Sequence, residues 1–428
     1  MTLSASAPEA VRQPVGPKYI WLMVLASFGA YLAFITPIAL SLSLRVEQLA
    51  PGNAEYLGYL TGTASIAGLI WSPILGVLSD RTRSRLGRRR PYLLAGAALG
   101  LFAMLVMAWA PSVLMLGVGW TLASIGWGTV VSALLYTQAD RLPEQQRGKV
   151  AGLAGSTQMI APVLGAGLAS TLVSSSYLLM LVPAGVGFLL VVVFVLFVGD
   201  KDSRDMVLAA KPAGTGLLRT FVFNPRHYPD FAWLWLGRAL FNTGMMLATT
   251  FTAFFFADRL GQSVKETAGF VAMLAVLGVG ASMIGAIGGG FLSDRLRRRQ
   301  LFVMIGGILF AVGALLQAFG PATPVLVAGS MIASIGIGTF AALEQALILD
   351  VLPERDTDGG RFLGIANYTT GLTHAIAPLI ATGLLLVGVT GDDKNYPLVF
   401  IVAAICTVAG GLTIAAKVHT SHASPEAH

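Results

Sequence analysis

The chain has 428 residues, 55% hydrophobic and only 11% charged, with a mean hydropathy of +0.75. Soluble domains carry about 25% charged residues, so a water-soluble globular protein is excluded and a polytopic helical membrane protein is expected. The net charge of +7 does not point to nucleic acid, because the basic residues sit in short loops beside apolar spans, where they set topology. The 50 glycines fit the same class, since small residues let membrane helices approach closely. Cys406, the single cysteine, can form no internal disulfide and lacks partners for a metal site.

Windows of about 20 apolar residues predict twelve spans. The polar N-terminus, Met1 to Lys18, shows no cleavable signal pattern, so the first span is expected to stay in the mature protein. Six spans fall near 19–43, 56–79, 91–109, 112–138, 148–172 and 177–198. A polar stretch at 199–230, too short to be a domain, reads as a linker. Six more spans follow near 231–256, 266–292, 301–319, 323–350, 362–389 and 396–416. The expected organisation is a six-helix bundle at 1–198, a cytoplasmic linker at 199–230, and a second six-helix bundle with a short tail at 231–428.

Alternating loops then fall on opposite sides. The side with both termini holds 23 of the 28 Lys and Arg residues; the other holds Arg45, Arg259, Lys265 and Lys394, and Arg238 lies within a span. This asymmetry places both termini in the cytoplasm, with the chain in the inner (plasma) membrane.

The second span ends in Gly76-Val77-Leu78-Ser79-Asp80-Arg81, followed by Gly87-Arg88-Arg89-Arg90. About 214 positions later comes Gly290-Phe291-Leu292-Ser293-Asp294-Arg295, followed by Arg297-Arg298-Arg299. A second pair supports the repeat: Ser124-Ile125-Gly126-Trp127-Gly128-Thr129 against Ser334-Ile335-Gly336-Ile337-Gly338-Thr339, with Asp140, Pro143 and Glu144 matching Asp350, Pro353 and Glu354. Two halves on one plan point to a transporter with its substrate site between them. The carboxylates of Asp80 and Asp294 can pair with nearby guanidinium groups. Asp80, Arg81, Gly87, Arg88 and Arg89, with Asp294 and Arg295, therefore read as a cytoplasmic gate whose pairs hold the halves together. A plain topological anchor explains the arginines but not the two matched aspartates.

The fuller string from Ser72-Pro73 through Asp80-Arg81 to Arg90-Pro91-Tyr92 resembles the major facilitator superfamily, and within it the sucrose-transporter and glycoside–pentoside–hexuronide symporter branch. The resemblance implies an all-α major facilitator fold of two pseudo-symmetric six-helix bundles, alternating access, and a small solute, a disaccharide or glycoside, carried with protons by a monomer in the lipid bilayer. Melibiose-type symporters of that branch hold acidic residues in helix two; this helix has none between Tyr56 and Ser79, so sodium coupling of that kind is not expected.

Charges inside a membrane are functional candidates by default. Arg238 in span seven and Glu344 in span ten both sit roughly 10 Å deep from the same side at 1.5 Å per residue, and the resemblance puts both helices on the central cavity. They are the proton-coupling candidates: protonation of Glu344 would release Arg238. Snorkelling explains Arg238 alone, and a structural hydrogen bond explains Glu344. Leu134 is the matching position in span four. Mid-span polar residues form the substrate-binding candidates: Tyr31, Trp127, Gln138, Gln158, Asn242, Gln345, Asn367, Tyr368 and His374, with Thr36 beside them. Interhelical hydrogen bonding is the competing reading for each. Pro37, Pro73, Pro162 and Pro378 are expected to kink their spans. No catalytic constellation and no phosphate-cradling loop appear, so neither enzyme activity nor a cofactor is expected. Two other functions stay open: proton-coupled efflux of amphiphilic compounds, and a non-transporting membrane assembly factor of the same fold.

Overall fold

The computed structural model describes residues 14–199, 202–204, 223–354, 359–389 and 393–419. Most of the expected linker, at 200–201 and 205–222, therefore lies outside the described residues. Twelve long helical segments follow in chain order among the described residues. The first six are α1 (Pro17–Leu49), α2 (Glu55–Arg81), α3 (Arg90–Ala108), α4 (Val113–Arg141), α5 (Glu144–Leu172) and α6 (Ser176–Phe197). The second six are α7 (Pro229–Thr250, continued by Thr252–Leu260), α8 (Val264–Leu296), α9 (Arg299–Phe319), α10 (Thr323–Asp350), α11 (Gly359–Leu385) and α12 (Tyr396–Lys417). Among the described residues nine helices are long and apolar enough to cross a membrane, or ten with the two parts of α7 as one span.

Two irregularities escape a hydropathy reading. Pro37 opens a π-helical turn, Pro37–Ser41, inside α1, where its missing N–H and its ring disturb the regular ladder. The chain bends by 47° at Phe251, splitting α7 without any Pro or Gly at the break. Pro73, Pro162 and Pro378 lie inside continuous helices.

Each half packs by the same pairs. In the first, α1 meets α5 and α6, α2 meets α4, and α3 meets α4 and α6. The second repeats this with α7 on α11 and α12, α8 on α10, and α9 on α10 and α12. The doubled sequence motif sits at close backbone contacts of this kind. A Cβ on Gly126 would lie 2.6 Å from the Gly100 nitrogen and 2.8 Å from the Gly96 carbonyl, so α3 and α4 touch through backbone. In the second half a Cβ on Gly336 would lie 2.6 Å from the Gly306 carbonyl, again between backbones. The threonine ending each motif ties the same helix to its other neighbour. Trp71 Nε1 donates to Thr129 Oγ1 at 2.8 Å, and Thr339 Oγ1 donates to the Gly285 carbonyl at 3.1 Å. The repeat thus encodes how α4 and α10 are seated.

The halves meet through α2 on α11 and α5 on α8. Their polar links lie at the face away from the termini, here the far face. Lys394 Nζ is 2.8 Å from Glu55 Oε2, Thr382 Oγ1 donates to the Glu55 carbonyl at 3.3 Å, and the Val264 N–H donates to Glu47 at 3.1 Å. An apolar cluster joins Leu40, Leu44 and Ala169 of one half to Ala253, Val264 and Ala268 of the other at the same end. Toward the termini face, by contrast, α5 exposes Ala151, Gly155 and Gln158, and α8 exposes Ile284 and Ile287. The bundle is closed at the far face.

Because backbone cannot yield as a side chain can, Gly126→Ala is expected to destabilise the protein by about 1–3 kcal/mol. Gly128→Ala, with nothing within 4 Å of its added Cβ, is the control. Thermal unfolding in detergent decides: equal melting temperatures for the two variants would refute the close contact.

Candidate functional site

Arg238 and Glu344 meet between α7 and α10. Both are only 8% exposed, and Arg238 Nε contacts Glu344 Oε1. Arg238 Nη2 donates to Thr370 Oγ1 of α11 at 2.9 Å, so three helices share one guanidinium. About a turn deeper the rings of Phe241 and Phe340 stack, centroids 3.5 Å apart and planes within 2°. Trp235 Nε1 adds a bond to the Ile365 carbonyl at 3.3 Å on the termini side. Snorkelling is thus not what Arg238 does: its head is held inside the bundle. Removing each ion from water costs several kcal/mol, which is offset only while the partner is charged and close. Thr370 was missed because one threonine among many in α11 carries no distinguishing signal.

A cavity of about 230 Å³ lies in the first half between α1, α4 and α5. It gathers Tyr31, Gln138 and Gln158, three of the sequence candidates, and adds Ser27. Ser27 sits four residues before Tyr31, the spacing that puts two side chains on one helix face; that spacing would have found it. Leu134 also lines the cavity, so the position holding the carboxylate in α10 is apolar in α4.

The remaining candidates separate. Asn242 is buried on α7 beyond Arg238, Gln345 and Asn367 are exposed on α10 and α11, and Tyr368 and His374 are half-buried on α11. None of these five lines the first-half cavity. Trp127 must be corrected: it is 0% exposed, wedged against Gly100 and Gly187 in the core of the first bundle, and cannot reach a solute. Thr36 is likewise scaffold, since its hydroxyl donates to the Leu32 carbonyl at 2.6 Å and packs against Gly165.

At the termini face the Arg-rich loops form ion-pair clusters. Arg89 Nη2 bonds Asp80 at 2.7 Å, Arg89 Nε bonds Asp140 at 2.9 Å, and Arg88 Nη2 bonds Asp140 at 2.6 Å. Arg89 also donates to Ser79 Oγ. Gly87, at φ +82°, supplies the left-handed turn that brings these arginines back under α2. Arg81 lies half-buried at the end of α2. In the second half Arg299 bridges Asp294 at 3.0 Å and Asp350 at 2.8 Å, while Arg295 is exposed. Two expectations change. The gate candidate Arg295 is exposed on the last turn of α8, and Asp294 pairs with Arg299, which the sequence does not single out. And the pairs join the ends of α2, α3 and α4, or of α8, α9 and α10, within one half; they do not span the halves here. Asp140 and Asp350 stood out only as repeat markers in the sequence, and their pairing partners were not legible.

The Major Facilitator Superfamily profile matches residues 20–289 and 280–427. A "General alpha-glucoside permease" of Schizosaccharomyces pombe is 36% identical over 92 residues, 22% of this chain and 15% of the permease. Matches to this and two inositol transporters span only 13–23% of those relatives. Among solved structures, the nucleoside transporter NupG superposes with a TM-score of 0.73 at 12% identity, covering 92% of this chain and 98% of NupG. A D-xylose-proton symporter gives 0.72 at 16%, covering 95% and 99%. At these identities the structures show a shared fold.

Arg89→Ala would leave Asp80 and Asp140 to Arg88 alone, which lies 4.0 Å from Asp80 and 2.6 Å from Asp140. The expected loss is about 2–3 kcal/mol, under the roughly 3–5 kcal/mol of a fully buried pair, because Asp80 is 59% exposed. Lysine cannot replace the two-pronged contact, so Arg89→Lys is expected to melt close to the alanine variant. Wild-type melting for Arg89→Lys would show that charge alone suffices.

Proposed function

The chain belongs to the major facilitator superfamily, and from that membership we propose that it is a secondary active transporter moving a disaccharide or related glycoside together with protons. The substrate would be reached alternately from each side as the half at 1–198 rocks against the half at 231–428, in the inner membrane, with both termini cytoplasmic and the chain acting as a monomer. The observation that carries this reading is the Arg238–Glu344 pair, held between two helices deep in the second bundle. Ionisable groups inside a membrane bundle are functional candidates by default, which supports transport over a purely structural scaffold. Protonating Glu344 removes one charge and leaves Arg238 uncompensated, so a proton changes how α7 and α10 hold each other.

The sequence relatives support the substrate class: an alpha-glucoside permease and two inositol transporters match parts of the chain at 29–36% identity. Efflux of amphiphilic compounds is less well supported, because the first-half cavity gathers four polar side chains, Ser27, Tyr31, Gln138 and Gln158.

Uptake of labelled sucrose and maltose into proteoliposomes, with and without an inward proton gradient, tests the proposal. Gradient-dependent accumulation of either sugar is expected. Absence of uptake by demonstrably folded protein would put efflux first. Glu344→Gln is expected to abolish accumulation while sparing exchange of labelled for unlabelled sugar; undiminished accumulation would remove Glu344 from the coupling.

A further inference from the structure

The geometry points to a subsite, built by the first half alone, that takes one uncharged hydroxylated ring of the solute; it rests on the transporter reading above. Four polar side chains face one cavity there: Ser27, Tyr31, Gln138 and Gln158. Ser27 is 3% exposed and Gln138 8% exposed, yet none of the four side chains hydrogen-bonds to any described residue. Nor are the polar atoms of Ser27, Tyr31 and Gln138 among those fully occluded without a partner, so they open into the cavity.

Their neighbours behave differently. Thr137, beside Gln138, donates to the Ala133 carbonyl at 2.7 Å, and Thr157, beside Gln158, donates to the Ala154 carbonyl at 2.5 Å. Hydroxyls on the same helices are thus satisfied locally while the two amides are not. Interhelical bonding, the ordinary reason for an amide in a membrane span, does not account for either. A hydroxylated solute entering the cavity would supply the missing partners.

The chemistry of the set defines what fits. Each amide offers two donors and an accepting oxygen, and the hydroxyls of Ser27 and Tyr31 both donate and accept. Such a lining matches sugar hydroxyls, which do the same. None of the residues lining the cavity is a carboxylate or a cation. A charged ring would lose its hydration there with no counter-charge in return, so uronates and sugar phosphates are rejected. Leu134 and Leu135 supply apolar wall for the ring's C–H face. A volume of about 230 Å³ leaves room for one ring, so the second ring of a disaccharide must lie outside, toward the other half.

The test is ligand-dependent stabilisation of the purified full chain, read as the rise in melting temperature. The probes are methyl α-glucoside, myo-inositol, maltose, sucrose and glucuronate. At least one neutral single-ring compound is expected to stabilise the protein and glucuronate is not. Gln138→Leu and Gln158→Leu are expected to weaken that binding at least tenfold; the melting temperature without ligand reports that each is folded. Thr137→Val, which loses only a backbone bond, is expected to keep it. Binding of a disaccharide with no binding of any single ring would overturn the subsite and leave the transporter reading standing. Glucuronate binding as tightly as a neutral ring, or unimpaired binding by both leucine variants, would also overturn it. If no sugar of either size binds, the sugar reading and the subsite fall together.

Discussion

A guanidinium and a carboxylate sealed inside a helical bundle constrain everything around them. Neither Arg238 nor Glu344 can be hydrated where it sits, so α7, α10 and α11 must be placed to within hydrogen-bonding tolerance of one another. Thr370 and the stacked Phe241–Phe340 pair hold that placement from two sides. The close backbone contact at Gly336, which seats α10 on α9, is what sets the depth of Glu344 in the first place. In this sense the packing glycine and the buried charge belong to one device, with the motif fixing the helix and the helix presenting the carboxylate.

The two halves share this scaffold but not its chemistry. Leu134 occupies in α4 the position that Glu344 occupies in α10, and the cavity beside Leu134 is lined by amides, hydroxyls and apolar groups. Duplication has thus left one half with a buried ion pair, and the other with a cavity whose lining carries no charge. A neutral solute and a proton would then be handled by different halves. Their coupling would pass through the rocking of the bundles and would not need direct contact between solute and ion pair.

The sequence made the spans legible because a membrane helix must be apolar over a fixed length, and the twelve windows agree with the helices to within a few residues at most ends. Arg238, Glu344, Gln138 and Gln158 were legible for the related reason that a polar group in such a window demands an explanation. What could not be read was three-dimensional adjacency. Trp127 looks like a sugar-stacking ring until Gly100 and Gly187 are seen against it. Arg295 and Arg299 are interchangeable in composition, and only the turn at the end of α8 selects Arg299. Glu55 and Lys394 lie 339 positions apart in the chain and read as ordinary loop charges; nothing local announces that they meet.

That far-face pair makes an instructive contrast with the inner one. Glu55–Lys394 closes the two halves against each other, beside Gly58, where a Cβ would meet Thr382 Oγ1 at 1.9 Å. It lies at the helix ends of the far face, so under the proposed alternating access water would enter there and hydrate both charges as the halves part. Arg238–Glu344 differs, because both partners lie within one bundle and are buried there. Separating those charges would leave each unsolvated, at several kcal/mol per ion. A proton on Glu344 removes the penalty for one ion only; Arg238 stays charged and must find other partners, of which Thr370 is already one. The position of a buried ion pair relative to the moving interface therefore decides what breaks it: bulk water at the far face, and a proton in the interior of the second half.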